Sequence, residues 1–114
     1  MDVVVVGPCG AGKTTLAAAL RGAGYTVRAV AQEHSIIRDL WQHGGEAAAL
    51  IFLDAAPDVI SIRRGHDFPL WLYHEQLQRL KDAREHATLV LDTTVLSSAE
   101  VRAAVLAHLQ TRGV

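Results

Sequence analysis

The residues best able to do chemistry lie near the start of the chain. Gly7-Pro8-Cys9-Gly10-Ala11-Gly12-Lys13-Thr14-Thr15 fits G-x-x-x-x-G-K-[ST] in full. A β-branched run, Met1 to Val6, precedes it, and an apolar-periodic segment, Leu16 to Leu20, follows it. Each letter has a physical use. Gly7, Gly10 and Gly12 let the backbone curl so that successive N–H groups face phosphate oxygens. A helix starting near Lys13 adds its positive dipole end. Lys13 would reach the β- and γ-phosphates as a point charge, and the Thr14 hydroxyl would ligate Mg²⁺. Pro8, Cys9, Ala11 and Thr15 complete the loop. Cys9, the single cysteine, is read as a small side chain at a variable position. The ligand expected is a nucleoside triphosphate.

Phosphoryl transfer also needs a carboxylate on the metal side and cations over the transferring group. Two apolar runs end in Asp, at Asp54 and Asp92, and Glu33 is a third candidate. Should the second strand lie beside the first, Glu33 would project near Thr14 and orient a water or an acceptor proton. His34 beside it could act as acid or base. Arg63 and Arg64 sit next to Gly65 and could clamp a phosphoryl group. Asp92, Thr93 and Thr94 could touch a base or ribose. The histidines show no metal-ligand spacing.

These residues need elements to hold them. The valines of residues 2–6 predict a strand buried on both faces. Residues 13–21 predict a helix stopped by Gly22-Ala23-Gly24. An alternating segment, 25–30, predicts a half-exposed edge strand. Ser35 is a candidate cap for a second helix over 36–43, with Ile36, Ile37, Leu40 and Trp41 as its apolar stripe. A third strand is expected over 48–53. A short helix follows over 57–62 with Pro57 in its first turn. Residues 63–69 read as a loop. A longer helix spans 70–85 with an apolar face of Leu70, Tyr73, Leu77, Leu80 and Ala83. The fourth strand covers 88–91, and Ser97-Ser98-Ala99-Glu100 is a capping box for the last helix. Strands alternating with helices imply a parallel sheet with right-handed crossovers. The expected fold class is α/β, a three-layer α/β/α sandwich with about four parallel strands. Ligand is expected at the carboxyl ends of those strands, where the glycine loop, Glu33, Asp54 and Asp92 all fall.

Composition narrows the rest. A chain of 114 residues, half of them apolar, is expected to form one nucleotide-binding domain over 1–114. A formal net charge of −1 gives no basic field for nucleic acid or an anionic membrane. The lone cysteine suits a reducing cytoplasm. No apolar run approaches the length of a membrane span. The first residues lack a basic leader, so no signal peptide is expected.

Three segments together resemble the P-loop kinase group that contains adenylate, cytidylate and shikimate kinases. The first is Val3 to Leu20, whose glycine loop is the Walker A loop of the P-loop nucleoside triphosphate hydrolase superfamily. The second is Leu50 to Arg64, similar to the strand and helix leading to an arginine-bearing lid. The third is Tyr73 to Val105, similar to the terminal helix–strand–helix whose residues line the adenine pocket. The resemblance implies ATP as ligand, Arg63 and Arg64 at a lid position, and Asp92 to Val95 near the base. It places Asp54 on the lid strand and leaves Glu33 as the better-placed carboxylate. The acceptor-binding section of those kinases is shortened here to residues 22–45. The expectation is transfer of the γ-phosphoryl group of Mg·ATP to a small acceptor or to water, with GTP as the alternative nucleotide. The alternative from another class is a sensing or assembly module that hydrolyses slowly and acts through a protein partner, or a homodimer supplying an arginine in trans.

Overall fold

The computed structural model describes residues 2–114. β1, Asp2–Val6, is almost wholly valine, and its four valines are at most 1% exposed. Such a strand must be covered on both faces and flanked on both edges. It is: β2 (Val27–Ala29) and β3 (Ala47–Asp54) pair with it in parallel, and β4 (Leu89–Asp92) pairs with β3. The sheet order is β2-β1-β3-β4.

Alternate residues of β1 and β3 feed opposite cores, as the period of a strand requires. Val3, Val5, Ile51 and Leu53 pack with Leu16 and Leu20 of α1 (Lys13–Gly22) and with Val101, Val105 and Leu109 of α4 (Ser98–Thr111). Val4, Val6, Leu50 and Phe52 pack with Leu80 and Ala83 of α3 (Leu70–His86) and with Trp41. The result is the α/β sandwich expected, with a sheet of four parallel strands. Both cores end at the carboxyl edge of the sheet, and the glycine loop crosses that edge between β1 and α1. The capping box at Ser97 forms as read: Glu100 N donates to Ser97 Oγ at 3.1 Å, and Ser97 N donates to Glu100 Oε1 at 2.9 Å.

Two segments depart from the sequence reading. No α-helix forms over 36–43. One 3-10 turn, Leu40–Gln42, stands there instead, and another, Gln32–His34, precedes it. Ile36 is 85% exposed, so the expected apolar stripe is buried only at Trp41. The reason is Gln32, a fully buried side chain. Its Nε2 donates to Ile37 O at 2.7 Å, and its Oε1 accepts from Trp41 N at 3.0 Å. A side-chain amide thus takes the bonds that a helical backbone would have used. Ser35 Oγ accepts from Ile37 N at 3.0 Å in a local turn, not a helix cap.

The second departure is α2, Pro57–Arg64, which extends two residues past the reading. Arg63 and Arg64 are therefore helical. Gly65, at φ 74°, adopts the left-handed conformation that ends the helix. Leu70, expected on the buried face of α3, is 59% exposed. Among the described residues, no helix is long and apolar enough to cross a membrane.

Candidate functional site

The loop after β1 is shaped by one close backbone contact at Gly7 and by left-handed glycines beyond it. A Cβ built on Gly7 would stand 2.0 Å from Leu53 O, so β3 presses directly on the loop backbone. Gly10 and Gly12 have φ of 73° and 102°, which other residues rarely adopt. Gly12 precedes α1 with open space on its Cα. Thr14 and Thr15 lie exposed in the first turn of that helix.

Lys13 turns back over the loop. Its Nζ donates to Gly7 O at 2.7 Å, to Pro8 O at 3.0 Å and to Glu33 Oε2 at 2.5 Å. All three ammonium protons have acceptors. Glu33 sits in the 3-10 turn after β2, and β2 lies beside β1 as the sequence reading required. The side chains of Lys13 and Glu33 are 14% and 4% exposed. The contact that forms is with Lys13. Glu33 Oε1 is buried, with no hydrogen-bond partner among the described residues.

The other flank is held by Thr93 and Arg63. The Thr93 hydroxyl lies 2.8 Å from Ala11 O and 3.0 Å from Asp54 O. Arg63 Nη1 donates to Gly10 O and to Thr93 Oγ1, both at 3.0 Å, and Nη2 donates to Thr93 O. Arg63 thus ties α2, the loop and the end of β4 together. Arg64 stands exposed beside it with its stem over Gly10. The two arginines do not form a matched clamp.

A cavity of ≈ 620 Å³ opens on this flank between α1 and α4, lined by Gly10, Gly12, Thr15, Arg63, Thr93 and Arg102 among others. Its size suits a small organic ligand. Of the Asp92-Thr93-Thr94 trio, only Thr93 lines it. Asp92 Oδ1 accepts from Thr94 N at 2.9 Å, and Thr94 Oγ1 accepts from Ala56 N at 2.7 Å, so those two build the turn. Asp54 is engaged elsewhere. Its Oδ1 accepts from Ala55 N at 2.8 Å and from Tyr73 OH at 2.9 Å. Burial, then the hydrogen bond to Asp54, pushes the Tyr73 phenol up to about 12.

A family model described as an AAA domain matches residues 2–100. The chain belongs to that family. AAA domains belong to the P-loop nucleoside triphosphatase superfamily, so this chain is a nucleotide-binding P-loop protein. The loop fits that ligand in kind: Gly10, Gly12 and Thr15 of the first turn of α1 line the cavity, and the Lys13 ammonium lies over the loop on its Glu33 side. No match is found among curated proteins.

Two contributors escaped the sequence reading. Gln76 of α3 accepts from Cys9 N at 3.0 Å and donates to Cys9 Sγ at 3.2 Å, pinning the loop from the Glu33 side. Its signal was present, because Gln76 falls on the stripe of Tyr73, Leu80 and Ala83 where an apolar residue belongs. Gln32 carried no such signal, since its role depends on how residues 36–41 fold.

Proposed function

We propose that this P-loop protein binds Mg·ATP on the loop from Gly7 to Thr15 and transfers the γ-phosphoryl group to water or to a small acceptor. The observation that carries this reading is the position of Lys13. Its ammonium lies on the carbonyls of Gly7 and Pro8 and pairs directly with the buried Glu33 carboxylate, across the loop from a cavity that could take the base. Backbone N–H groups of Gly10 to Thr15 would hold the phosphates. Thr14 would ligate Mg²⁺, which supplies charge neutralisation when bound. Thr93 and Leu96 would border the base. Arg63 would hold the loop against β4, and Arg64, the unengaged cation, would face the phosphates. Glu33 would receive the Lys13 charge and orient the attacking group.

Titration with Mg·ATP tests the binding half. Saturable binding to the wild type, lost in Lys13→Ala, is expected, and equal affinity for both proteins would overturn it. Glu33→Gln tests the catalytic half. Phosphate oxygens would compete with Glu33 for Lys13, so the variant should bind nucleotide several-fold more tightly yet turn over about 100-fold more slowly. Unchanged turnover would remove Glu33 from the chemistry.

One observation favours a sensing or assembly role instead. The segment that corresponds, by resemblance, to the acceptor-binding section of P-loop kinases is closed by its own contacts, through Gln32 to Ile37, Trp41 and Arg79. Sedimentation with and without nucleotide separates the readings. Nucleotide-dependent self-association would support the sensor, and a rapidly cycling monomer would support the phosphotransferase.

A further inference from the structure

Cys9, Glu33 and His34 bring three different metal-ligating atom types to one point. Their ligand atoms lie within 4.8 Å of one another. Cys9 Sγ and His34 Nε2 are 3.3 Å apart. A tetrahedral Zn²⁺ with bonds of about 2.0–2.3 Å spaces its ligands by about 3.3–3.8 Å, so the sulfur and nitrogen already stand at the required separation. Glu33 provides an independent indication. Its Oε2 is taken by Lys13, while its Oε1 is buried without a partner among the described residues. An unpaired buried carboxylate oxygen is costly, and a cation beside the sulfur would satisfy it.

We propose that Cys9 Sγ, His34 Nε2 and the Glu33 carboxylate form a Zn²⁺ site that clamps the glycine loop to the 3-10 turn after β2. The donor set selects the metal. A thiolate and an imidazole are poor ligands for Mg²⁺ or Ca²⁺ and good ones for Zn²⁺. Binding releases the Cys9 thiol proton to solvent, and the thiolate and the Glu33 carboxylate together neutralise the dication. Gln76 orients the sulfur by donating to it and by accepting from Cys9 N. Arg79 Nη1 donates to Glu33 O at 3.3 Å and steadies the turn. The Lys13 and Arg79 charges oppose any cation here, which is why a metal–thiolate bond is needed to hold it. His34 is exposed, so the metal has access from solvent and three protein ligands leave a fourth position facing outward. The site stands on the opposite flank of the loop from the ≈ 620 Å³ cavity, and the proposal does not depend on nucleotide turnover.

The test is titration of untagged, nucleotide-free protein with Co²⁺ as a spectroscopic stand-in for Zn²⁺, in a millimolar excess of Mg²⁺. The expected result is one equivalent bound, with a thiolate-to-cobalt charge-transfer band that Zn²⁺ abolishes. Because Cys9 is the only cysteine, that band in the wild type reports this site without any variant. Cys9→Ser should eliminate it, and His34→Ala should weaken binding by at least about 10-fold, both with wild-type circular dichroism. Absence of the band would overturn the proposal. So would a band whose affinity His34→Ala and Glu33→Gln leave unchanged, since that describes a lone thiol. Displacement of Co²⁺ by the Mg²⁺ excess would overturn it too.

Discussion

The two flanks of the glycine loop are built from different materials. On the α4 side, Thr93 and Arg63 fasten the loop by bonding its carbonyls, and the bonds formed there join one guanidinium to neutral oxygens. On the β2 side, a lysine, a carboxylate, a thiol and an imidazole converge within a few ångströms. The first flank is a mechanical joint beside an open cavity. The second is a nearly closed charge cluster. The difference teaches that the loop is held on both sides, by largely neutral bonds on one and by a charged cluster on the other, so each can be broken separately.

The largest effect should come from breaking the charged flank. Lys13→Ala leaves the Glu33 carboxylate buried with neither oxygen paired. Removing one partner of a buried ion pair costs about 3–5 kcal/mol, and partial exposure of Lys13 places this case near the lower end. Lys13→Ala/Glu33→Gln should recover much of that loss, because no orphan charge remains. Urea denaturation of the single and double variants measures it. Equal destabilisation by both would mean that charge is not what holds this flank.

The neutral flank should be softer. Thr93→Val keeps the shape and removes the hydroxyl that reaches Ala11 O and receives Arg63. Leaving a buried carbonyl unpaired costs about 1–2 kcal/mol. The loss should appear in stability and in the rigidity of the loop, read as faster amide exchange at Ala11 to Lys13. A cost matching that of Lys13→Ala would erase the contrast between the flanks.

How much of this was legible from residues alone follows the same division. The loop, the parallel strands around β1 and the cap at Ser97 are local or periodic features, and they stand where the spacing places them. The junction of Thr93 with Ala11 spans residues far apart in the chain, and nothing near Thr93 announces its partner. Residues 32–41 misled because Ile36, Ile37, Leu40 and Trp41 mimic a helical stripe. One buried amide, Gln32, outbids the helix by satisfying backbone groups at both ends of the segment. Arg63 looked like a loop residue because Gly65 follows closely, yet a left-handed glycine ends a helix one residue earlier and leaves both arginines inside it.

Between the flanks, Tyr73 and Asp54 form a third and weaker joint at the end of β3. The tyrosine is neutral in the fold up to about 12, above the ordinary phenol value of about 10. A group whose pKa is raised by folding contributes stability below its unfolded value and loses it as pH rises through the folded value. The ultraviolet titration should therefore show one tyrosine ionising near pH 12, a phase absent from Tyr73→Phe. If that phase persists in the variant, it does not belong to Tyr73, and the burial and Asp54 contact that raise this phenol are not what delays it.

The smallest effect lies away from the loop, at the amino end of β4. His108 lies on α4, its Nε2 2.9 Å from Thr88 Oγ1. Burial, then the Arg112 charge, holds its pKa below the usual imidazole value. Folding thus favours the neutral ring. Its stability contribution is complete above about pH 6.5 and is lost as pH falls toward the depressed folded value. The ring is only partly buried, so solvent screens the effect, and well under 1 kcal/mol is expected. His108→Gln should flatten the acid side of the stability profile slightly, without changing it above neutrality. A variant profile identical to wild type between pH 5 and 7 would mean that the ring is too exposed for folding to alter its protonation, and charge effects on stability would then have to be sought at the Lys13–Glu33 pair.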